Sequence, residues 1–376
     1  MGLRRRSVAL LVTGSRHVDT RFWSDRRVLV TGHTGFKGGW LSLWLQDMGA
    51  AVFGLSDGIP TDPALYALAR VGEGMRDERT ADVRDPAAVA EALRAWGPEV
   101  VIHMAAQPLV RRSFAQPRET FEVNVMGTVN VLDAVRETES VRAVVVVTSD
   151  KCYENRGWEW GYREDEAMGG HDPYSSSKGA AELVVSAYRR SFFSDPAGPQ
   201  VASARAGNVI GGGDWAPERL MTDLVHAALS GGTLRIRNPA AVRPWQHVLS
   251  PLSGYLVLAQ ALCESERFAD GWNFGPEEGD AHPVAWMVER MREGWSGKPA
   301  WEADPGPHPH EAAYLKLDSS RARLHLGWRP LVPLETALQS IVDWYEAFAV
   351  GSDMREFTLA QLRSLSGATA PPPAGG

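Results

Sequence analysis

Four consecutive valines, Val144 to Val147, constrain this chain more than any other stretch. An unbroken β-branched run has no polar face, so as a strand it needs cover on both sides, as at the centre of a parallel sheet. Open sheets of that kind take ligands beyond the carboxyl ends of their strands. The residues that follow, Thr148-Ser149-Asp150-Lys151, therefore belong at the rim of a crevice. Further on, Tyr174-Ser175-Ser176-Ser177-Lys178 enters a helical pattern and puts a phenol and an ammonium at i and i+4 on one face. Unperturbed tyrosine titrates near ~10, too high for a good base at neutral pH, and a close cation favours the phenolate. Such a pair is common on helices, where it is often an exposed tyrosine beside a solvated lysine. Lysine, however, is scarce here: the 39 basic residues are almost all arginine, with lysine only at Lys37, Lys151, Lys178, Lys298 and Lys316. Lysine can be tuned by burial and neighbours whereas arginine cannot, and Lys37, Lys151 and Lys178 all fall inside motifs.

The second motif lies upstream. Arg27 to Thr31 reads as a strand, Gly32-His33-Thr34-Gly35-Phe36-Lys37-Gly38 as a turn, and Gly39 to Leu45 as a helix. Strand, glycine turn and helix in that order are the context of a dinucleotide fingerprint. Gly32 permits the tight turn, Gly35 lets the backbone approach a pyrophosphate, and Gly38 lets the helix pack close to the sheet with its first amides facing the phosphates. Ala51 to Ser56 is the next strand. Asp57 then stands where a carboxylate accepts the adenosine ribose hydroxyls, which favours NAD over NADP; the competing reading is a turn aspartate in Asp57-Gly58-Ile59-Pro60. Asp82 and Val83 follow a third short segment and are placed to reach an adenine. Ala87 to Trp96 is helical, and Glu99 to Met104 is a strand that empties into Ala105-Ala106-Gln107-Pro108, where small side chains let a cofactor lie against the backbone. His103 reads as a packed strand residue rather than a ligand. Phe121 to Arg136 is an amphipathic helix carrying Asn124.

Strands alternating with helices from residue 27 to about 210 imply right-handed βαβ units and a Rossmann-like, doubly wound parallel sheet. From Asn208 the texture changes: Gly211-Gly212-Gly213 reads as a flexible loop, Arg219 to Leu229 as a helix, and the segment after Gly231 carries Arg235, Arg237 and Arg243. Arginine forks suit a diphosphate, so a smaller, mixed C-terminal domain for a second anionic ligand is expected. The boundaries are 1–17 for a disordered extension, 18–207 for the cofactor domain with the catalytic residues, 208–350 mainly for substrate, with some segments returning to the sheet, and 351–376 for a C-terminal segment and disordered tail.

The net charge of −7 excludes a general nucleic-acid binder. Cys152 and Cys263 provide neither a disulfide framework nor metal spacing, so a cytoplasmic setting is expected. No apolar run approaches the ~20 residues that span a bilayer. The basic and apolar start, Arg4 to Val12, lacks a cleavage site and is not read as an export signal. His308-Pro309-His310-Glu311 matches no helical metal pair, and no metal site is expected.

Thr31 to Gly38, Thr148-Ser-Asp-Lys-Cys-Tyr-Glu-Asn155, Tyr174 to Lys178 and Arg243-Pro-Trp-Gln-His-Val248 together resemble the extended short-chain dehydrogenase/reductases, and within these the branch of 4,6-dehydratases that act on CDP-glucose. The resemblance runs from about residue 18 to 350 and includes Glu311 to Asp318 and Leu326-Gly-Trp-Arg-Pro330. It implies an NAD-dependent lyase acting on a nucleotide-diphosphate sugar, often as a homodimer or higher homo-oligomer, with no nucleic acid or membrane partner. It gives Tyr174, aided by Lys178, the proton of the sugar's 4-hydroxyl, Ser149 a hydrogen bond to the sugar, Asp150 the role of acid and Lys151 that of base. A neutral Lys151 beside a protonated Asp150 requires burial, and the pair titrates as a unit. Neighbours on an ideal strand point to opposite faces, so the strand must end near Ser149 for both to reach one sugar.

The expected cofactor set is Gly32, Thr34, Gly35, Phe36, Lys37, Gly38, Asp57, Asp82, Val83, Ala105, Ala106, Gln107 and Asn124, with Tyr174 and Lys178. The expected substrate set is Ser149, Asn208, Arg219, Arg235, Arg243 and His247. Competing readings are a dehydratase of dTDP-glucose or another nucleotide sugar, whose members commonly carry an acidic residue at the position of Lys151; a nucleotide-sugar 4-epimerase, which needs no C5 base; and a catalytically silent NAD-binding regulator, which needs no Tyr174/Lys178 pair.

Overall fold

A computed structural model describes residues 16–217, 219–304, 306 and 315–367. The His308 to Glu311 cluster, most of the expected extension and all but the first residue of the expected tail lie outside them. Arg16 and His17, assigned to the extension, are held in place: Arg16 Nη1 meets Glu264 Oε2 at 2.6 Å, and the His17 carbonyl accepts from Gln260 Nε2 at 3.1 Å.

Seven parallel strands form the main sheet: β1 Arg27–Thr31, β2 Ala51–Ser56, β3 Asp77–Thr80, β4 Val100–His103, β5 Ala143–Val147, β6 Gln200–Arg205 and, after three strands set elsewhere, β10 Gly271–Asn273. Their order is β10-β6-β5-β4-β1-β2-β3. The winding reverses between β1 and β4, the kind of point at which such sheets bind ligands, and the glycine turn leaves β1 there. β10 comes from the expected substrate region and returns to the sheet beside β6, in register Gly271 with Ser203.

The valine run explains the layering. Val145 and Val147 join a core that includes Val28, Val30 and Ile102 and the C-terminal helices. Val144 and Val146 join a second core with Leu29, Val101, Leu93 and Val131. Alternate side chains thus face opposite layers, and the central strand has no wet side.

The smaller sheets are mixed as a group. β7 Asn208–Ile210 pairs parallel with β9 Val242–His247, which pairs antiparallel with β11 Ala281–Pro283, while β8 Thr233–Ile236 pairs with β12 Ala300–Ala303. Two sequence expectations need correction. The loop at Gly211-Gly212-Gly213 is buried rather than flexible: Trp40 Nε1 donates to the Gly212 carbonyl at 2.9 Å, and a Cβ on Gly212 would lie 2.2 Å from Trp344. Its glycines make room for aromatic rings. The helix expected from Phe121 begins at Pro117 and passes through a π segment, Glu122–Met126, before continuing as Gly127–Arg136. π segments inside α-helices re-aim side chains, and Asn124 lies within this one.

Candidate active site

The turn after β1 is crowded in a way only glycine permits. Gly32 has φ +75°, and a Cβ there would lie 2.8 Å from the Ala105 amide nitrogen. A Cβ on Gly38 would come within 2.0 Å of the Gly32 carbonyl oxygen. Gly35 caps the Phe36–Asp47 helix with no side-chain hydrogen bond, so its first amides remain available to an anion. Thr34 Oγ1 donates to the Gly58 carbonyl at 2.6 Å, which ties the turn to the end of β2, where Asp57 is exposed. This cradle fits a dinucleotide pyrophosphate.

Other members of the expected cofactor set do local structural work. Asp82 is bonded to Arg84 Nε and Nη2 at 2.8 and 2.5 Å, and that guanidinium holds its carboxyl below the usual range. Val83 is buried, and its carbonyl accepts from Asn130 Nδ2 at 2.9 Å. Thr31 Oγ1 accepts from the Met104 and Ala105 amides, at 3.1 and 3.2 Å, and contacts His103 Nδ1 at 2.7 Å. His103 is buried, and its ring is pushed down to about 3 by burial and then by the Lys178 charge. It is therefore a neutral strand residue, as the sequence indicated. Gln107 spends its amide on Leu109 and Thr120. Asn124 bridges: its Oδ1 accepts from the Gln107 amide at 2.9 Å, and its Nδ2 donates to Ser177 Oγ at 2.8 Å, fixing the loop after β4 to the helix of Tyr174.

That helix spans Pro173–Ser191, with Asp172 as N-cap accepting from the Ser175 amide and proline in its first turn. Tyr174 and Lys178 share one face and are both buried. Burial dominates both titrations. It pushes Tyr174 up to about 12 against the opposing pull of a Ser149 hydrogen bond, with Asp150 raising it further and Arg219 lowering it. It pushes Lys178 down to about 8, while Glu182 and Cys152 draw it back up. Arg219, from another element, is thus a cation that acts on the phenol, while Lys178 lies one helical turn away with its Nζ donating to the Val147 carbonyl at 3.4 Å.

The central strand ends close to Ser149, as expected. β5 stops at Val147, and Asp150–Cys152 forms a 3₁₀ turn with Ser149 as its N-cap. The turn turns Ser149 and Asp150 to the same side: Ser149 Oγ donates to Asp150 Oδ1 at 3.0 Å, and both act on Tyr174. Asp150 is buried against Gly207, where a Cβ would lie 2.8 Å from Oδ2. Lys151 enters this geometry through its amide, which donates to Ser149 Oγ at 3.2 Å; its side chain is half-buried.

Lys37, read from the glycine motif, projects into the same cluster. Its Nζ donates to Tyr255 Oη at 3.0 Å, and burial, Lys178 and Arg219 push it down to about 7 while Asp150 draws it back. Sequence reasoning missed Tyr255, a fully buried phenol on the Leu249–Glu264 helix that senses both Tyr174 and Asp150. No local signal set it apart, because the same helix also carries Ser250, Ser253 and Gln260 and is buried nearly all round. Phe36 lies beside Gly211, 3.0 Å from where a Cβ would stand.

The expected substrate set divides. Arg219 is bonded to Asp214 at 2.7 Å and belongs to the cluster. Asn208 opens β7, paired with Trp245, and Arg243 on β9 donates to the Val242 carbonyl at 3.2 Å. Arg235 is exposed on β8 and bonded to Glu302 at 2.9 Å. His247 has no exposed surface; its ring meets Trp40 edge-on at 6.0 Å, its Nδ1 accepts from the Leu249 amide, and burial pushes it down to about 3. It is placed as a core residue rather than a ligand-facing one. Among the described residues no group of acidic, histidine or cysteine side chains is arranged to hold a metal.

A doubly wound sheet with a glycine cradle at its switch point, and a buried Tyr-x-x-x-Lys helix against the end of its central strand, defines an enzyme of the short-chain dehydrogenase/reductase class. More narrowly, the chain belongs to the family described as GDP-mannose 4,6 dehydratase, whose model matches residues 29–341. It is 52% identical over 343 residues to a CDP-glucose 4,6-dehydratase of Salmonella typhimurium, covering 90% of this chain and 95% of that one. A Streptomyces venezuelae dTDP-glucose 4,6-dehydratase, solved with NAD bound, superposes with a TM-score of 0.71 at 26% identity, covering 85% of this chain and 97% of that one. A Thermus thermophilus UDP-glucose 4-epimerase in complex with NAD gives 0.72 at 26% identity, covering 85% and 99%.

Proposed function

We propose that this chain converts CDP-glucose to CDP-4-keto-6-deoxyglucose and water, with NAD as cofactor. The observation that carries this reading is the junction of two chemistries: the 3₁₀ turn that presents Ser149 and Asp150 is bonded to the helix that presents Tyr174 and Lys178. An epimerase needs only the second. The 52% identity to a CDP-glucose enzyme, against 26% to the superposed dTDP-glucose one, supports the cytidine nucleotide.

When bound, NAD⁺ supplies a hydride acceptor for C4, returns the hydride to C6, and brings a positive ring that favours a nearby phenolate. Tyr174 takes the proton of the 4-hydroxyl as the C4 ketone forms, and the Lys178 ammonium stabilises the phenolate that does so. The ketone acidifies the C5 hydrogen. Lys151 removes it while Asp150 gives a proton to the departing 6-hydroxyl, so the C6–O bond breaks and water leaves. C5 then regains a proton exchangeable with solvent, and the proton held by Tyr174 replaces the one lost by Asp150 through solvent. Ser149 orients the sugar oxygen. Arg219 and Arg243 bind the diphosphate.

A second copy of the chain is the proposed partner, and the cytoplasm the proposed setting. Support for the dimer comes from Phe121, Met126 and Leu183, all exposed, on neighbouring helices. No described helix is long and apolar enough to cross a membrane. Leu183→Glu should convert a dimer to monomer in sedimentation velocity, and a monomeric unaltered protein would overturn the assembly.

The reaction is tested by mass spectrometry in heavy water with catalytic NAD⁺ and either CDP-glucose or dTDP-glucose. Loss of one water with deuterium at C5 from CDP-glucose is expected. An unchanged formula with an altered sugar configuration would make the chain an epimerase, and preference for dTDP-glucose would move the substrate.

A further inference from the structure

Behind Lys178 lies a buried polar network that the reaction as drawn does not use. Glu182 continues the stripe of Tyr174 and Lys178 by one more helical turn and is buried. Its Oε1 accepts from Thr148 Oγ1 at 2.5 Å, and its Oε2 accepts from Ser203 Oγ at 2.6 Å and Arg205 Nη2 at 2.7 Å. Arg205 Nη1 donates to Tyr153 Oη at 2.6 Å, and Tyr153 in turn donates to Asn273 Oδ1 at 2.7 Å. Thr148 precedes the Ser149–Asp150 turn and Tyr153 closes it as C-cap. The network therefore grips that turn at both ends and fastens it to the helix that carries Tyr174.

Stability alone is a weak reason for such a pair. Removing two charges from water costs about what their attraction returns, and an apolar pair of similar volume often serves as well. The Arg205 Nε is buried with no hydrogen bond among the described residues, so the guanidinium is not even fully satisfied.

We propose that Glu182, Arg205 and Tyr153 are positioning residues that hold the Ser149–Lys151 turn in register with Tyr174 and Lys178, so that elimination follows oxidation on the same bound sugar. This rests on the dehydratase reading. The groups that bear on Lys178 are Glu182 on its own helix, Cys152 on the turn, Lys37 from the Phe36–Asp47 helix and His103 on β4. Removing the Glu182 charge leaves Arg205 unbalanced nearby, so the Lys178 ammonium is lost at lower pH.

The test uses the full chain with NAD⁺ and CDP-glucose, and follows C4 oxidation by reduced-nicotinamide absorbance in a single turnover and dehydrated product by mass spectrometry. Tyr153→Phe should slow product formation relative to oxidation on the order of 10²-fold, the cost typical of a misplacement near 1 Å, so that reduced cofactor accumulates. Glu182→Gln should do the same and move the alkaline limb of the oxidation rate to lower pH. Arg205→Lys should restore part of the ratio that Arg205→Met loses. Equal losses in both half-reactions for Tyr153→Phe, or no loss in either, would overturn the inference. If the charged-pair variants do not fold, Tyr153→Phe, which keeps the ion pair, decides alone. An unaltered protein that releases no dehydrated product overturns the dehydratase reading and this inference with it, whereas normal product with an unchanged ratio in Tyr153→Phe overturns this inference only.

Discussion

Tyr174 and Lys178 owe their juxtaposition to a single turn of one helix, whereas Ser149, Asp150 and Lys151 owe theirs to a 3₁₀ turn fastened by other elements. The helix supplies its own ladder, an N-cap at Asp172 and proline at the first turn, so the pair's spacing survives most changes around it. The turn has a few backbone bonds of its own and leans on β6 and the residue after it, with the Thr148 amide donating to Ala204 O at 2.9 Å and the Asp150 amide to Ala206 O at 3.1 Å. One region is thus specified locally and the other by long-range contacts. The half-reaction assigned to the turn should accordingly be the more fragile of the two.

The largest effect expected is on the locally specified side. Tyr174→Phe removes the acceptor for the 4-hydroxyl proton and should lower turnover by about 10³-fold or more, within or beyond the range for a positioned acid or base. Cofactor affinity by titration calorimetry should be unchanged, because the glycine cradle lies on another element. A variant that turns over normally would remove Tyr174 from the mechanism. Lys151→Ala acts on the other side and should lower dehydrated product about 10²-fold while leaving C4 oxidation intact, read as reduced cofactor without deuterium uptake at C5. Loss of oxidation in Lys151→Ala would mean that the two regions are not separable.

What the sequence made legible follows the same divide. The strand-turn-helix of residues 27 to 45, the buried valine strand and the Tyr174 helix are dictated by local sterics, patterning and caps, and they stand where they were expected. Tyr255 was invisible because a helix such as Leu249–Glu264, buried nearly all round, announces only core, and nothing local says that its one phenol meets Lys37. The helix Met354–Ser366, within the expected C-terminal segment, is held by distant partners, with Arg363 bonded to Asp47 at 2.6 Å and Arg70 to Asp353 at 2.9 Å. Gly212 was misread because a glycine that clears space for Trp344 looks in sequence like one that loosens a loop. Arg235 carried charge in a suggestive segment, yet a cross-strand partner, Glu302, was 67 residues away and unforeseeable. The sign of the Tyr174 shift was missed for a related reason: helical spacing announces a neighbouring cation but not how much solvent the fold removes.

Burial at Lys178 gives the smallest and most diagnostic effect, because one cause acts in opposite directions on activity and stability. Its ammonium falls from 10.5 to about 8 in the folded chain. Below about 8 the group is charged in both folded and unfolded chains, and the folded state bears the full cost of burying that charge. Between about 8 and 10.5 the folded group is neutral while the unfolded one is still protonated, so the cost shrinks as pH rises and is gone above 10.5. Lys178→Met should therefore melt a few degrees higher than the unaltered protein at pH 7, with the difference narrowing toward pH 10.5. Activity runs the other way. The cation that favours a Tyr174 phenolate is present below about 8 and lost above it, so the ratio of oxidation rates, unaltered over Lys178→Met, should be largest at neutral pH and decline through that value. Differential scanning calorimetry and single-turnover cofactor reduction across pH 6.5 to 9.5, about the span over which such a group changes charge, measure the two together. A rate ratio that does not vary with pH would show that Lys178 contributes its shape and hydrogen bond to Val147 rather than its charge, and the locally specified pair would then owe its chemistry to Arg219, the cation that reaches the phenol from another element.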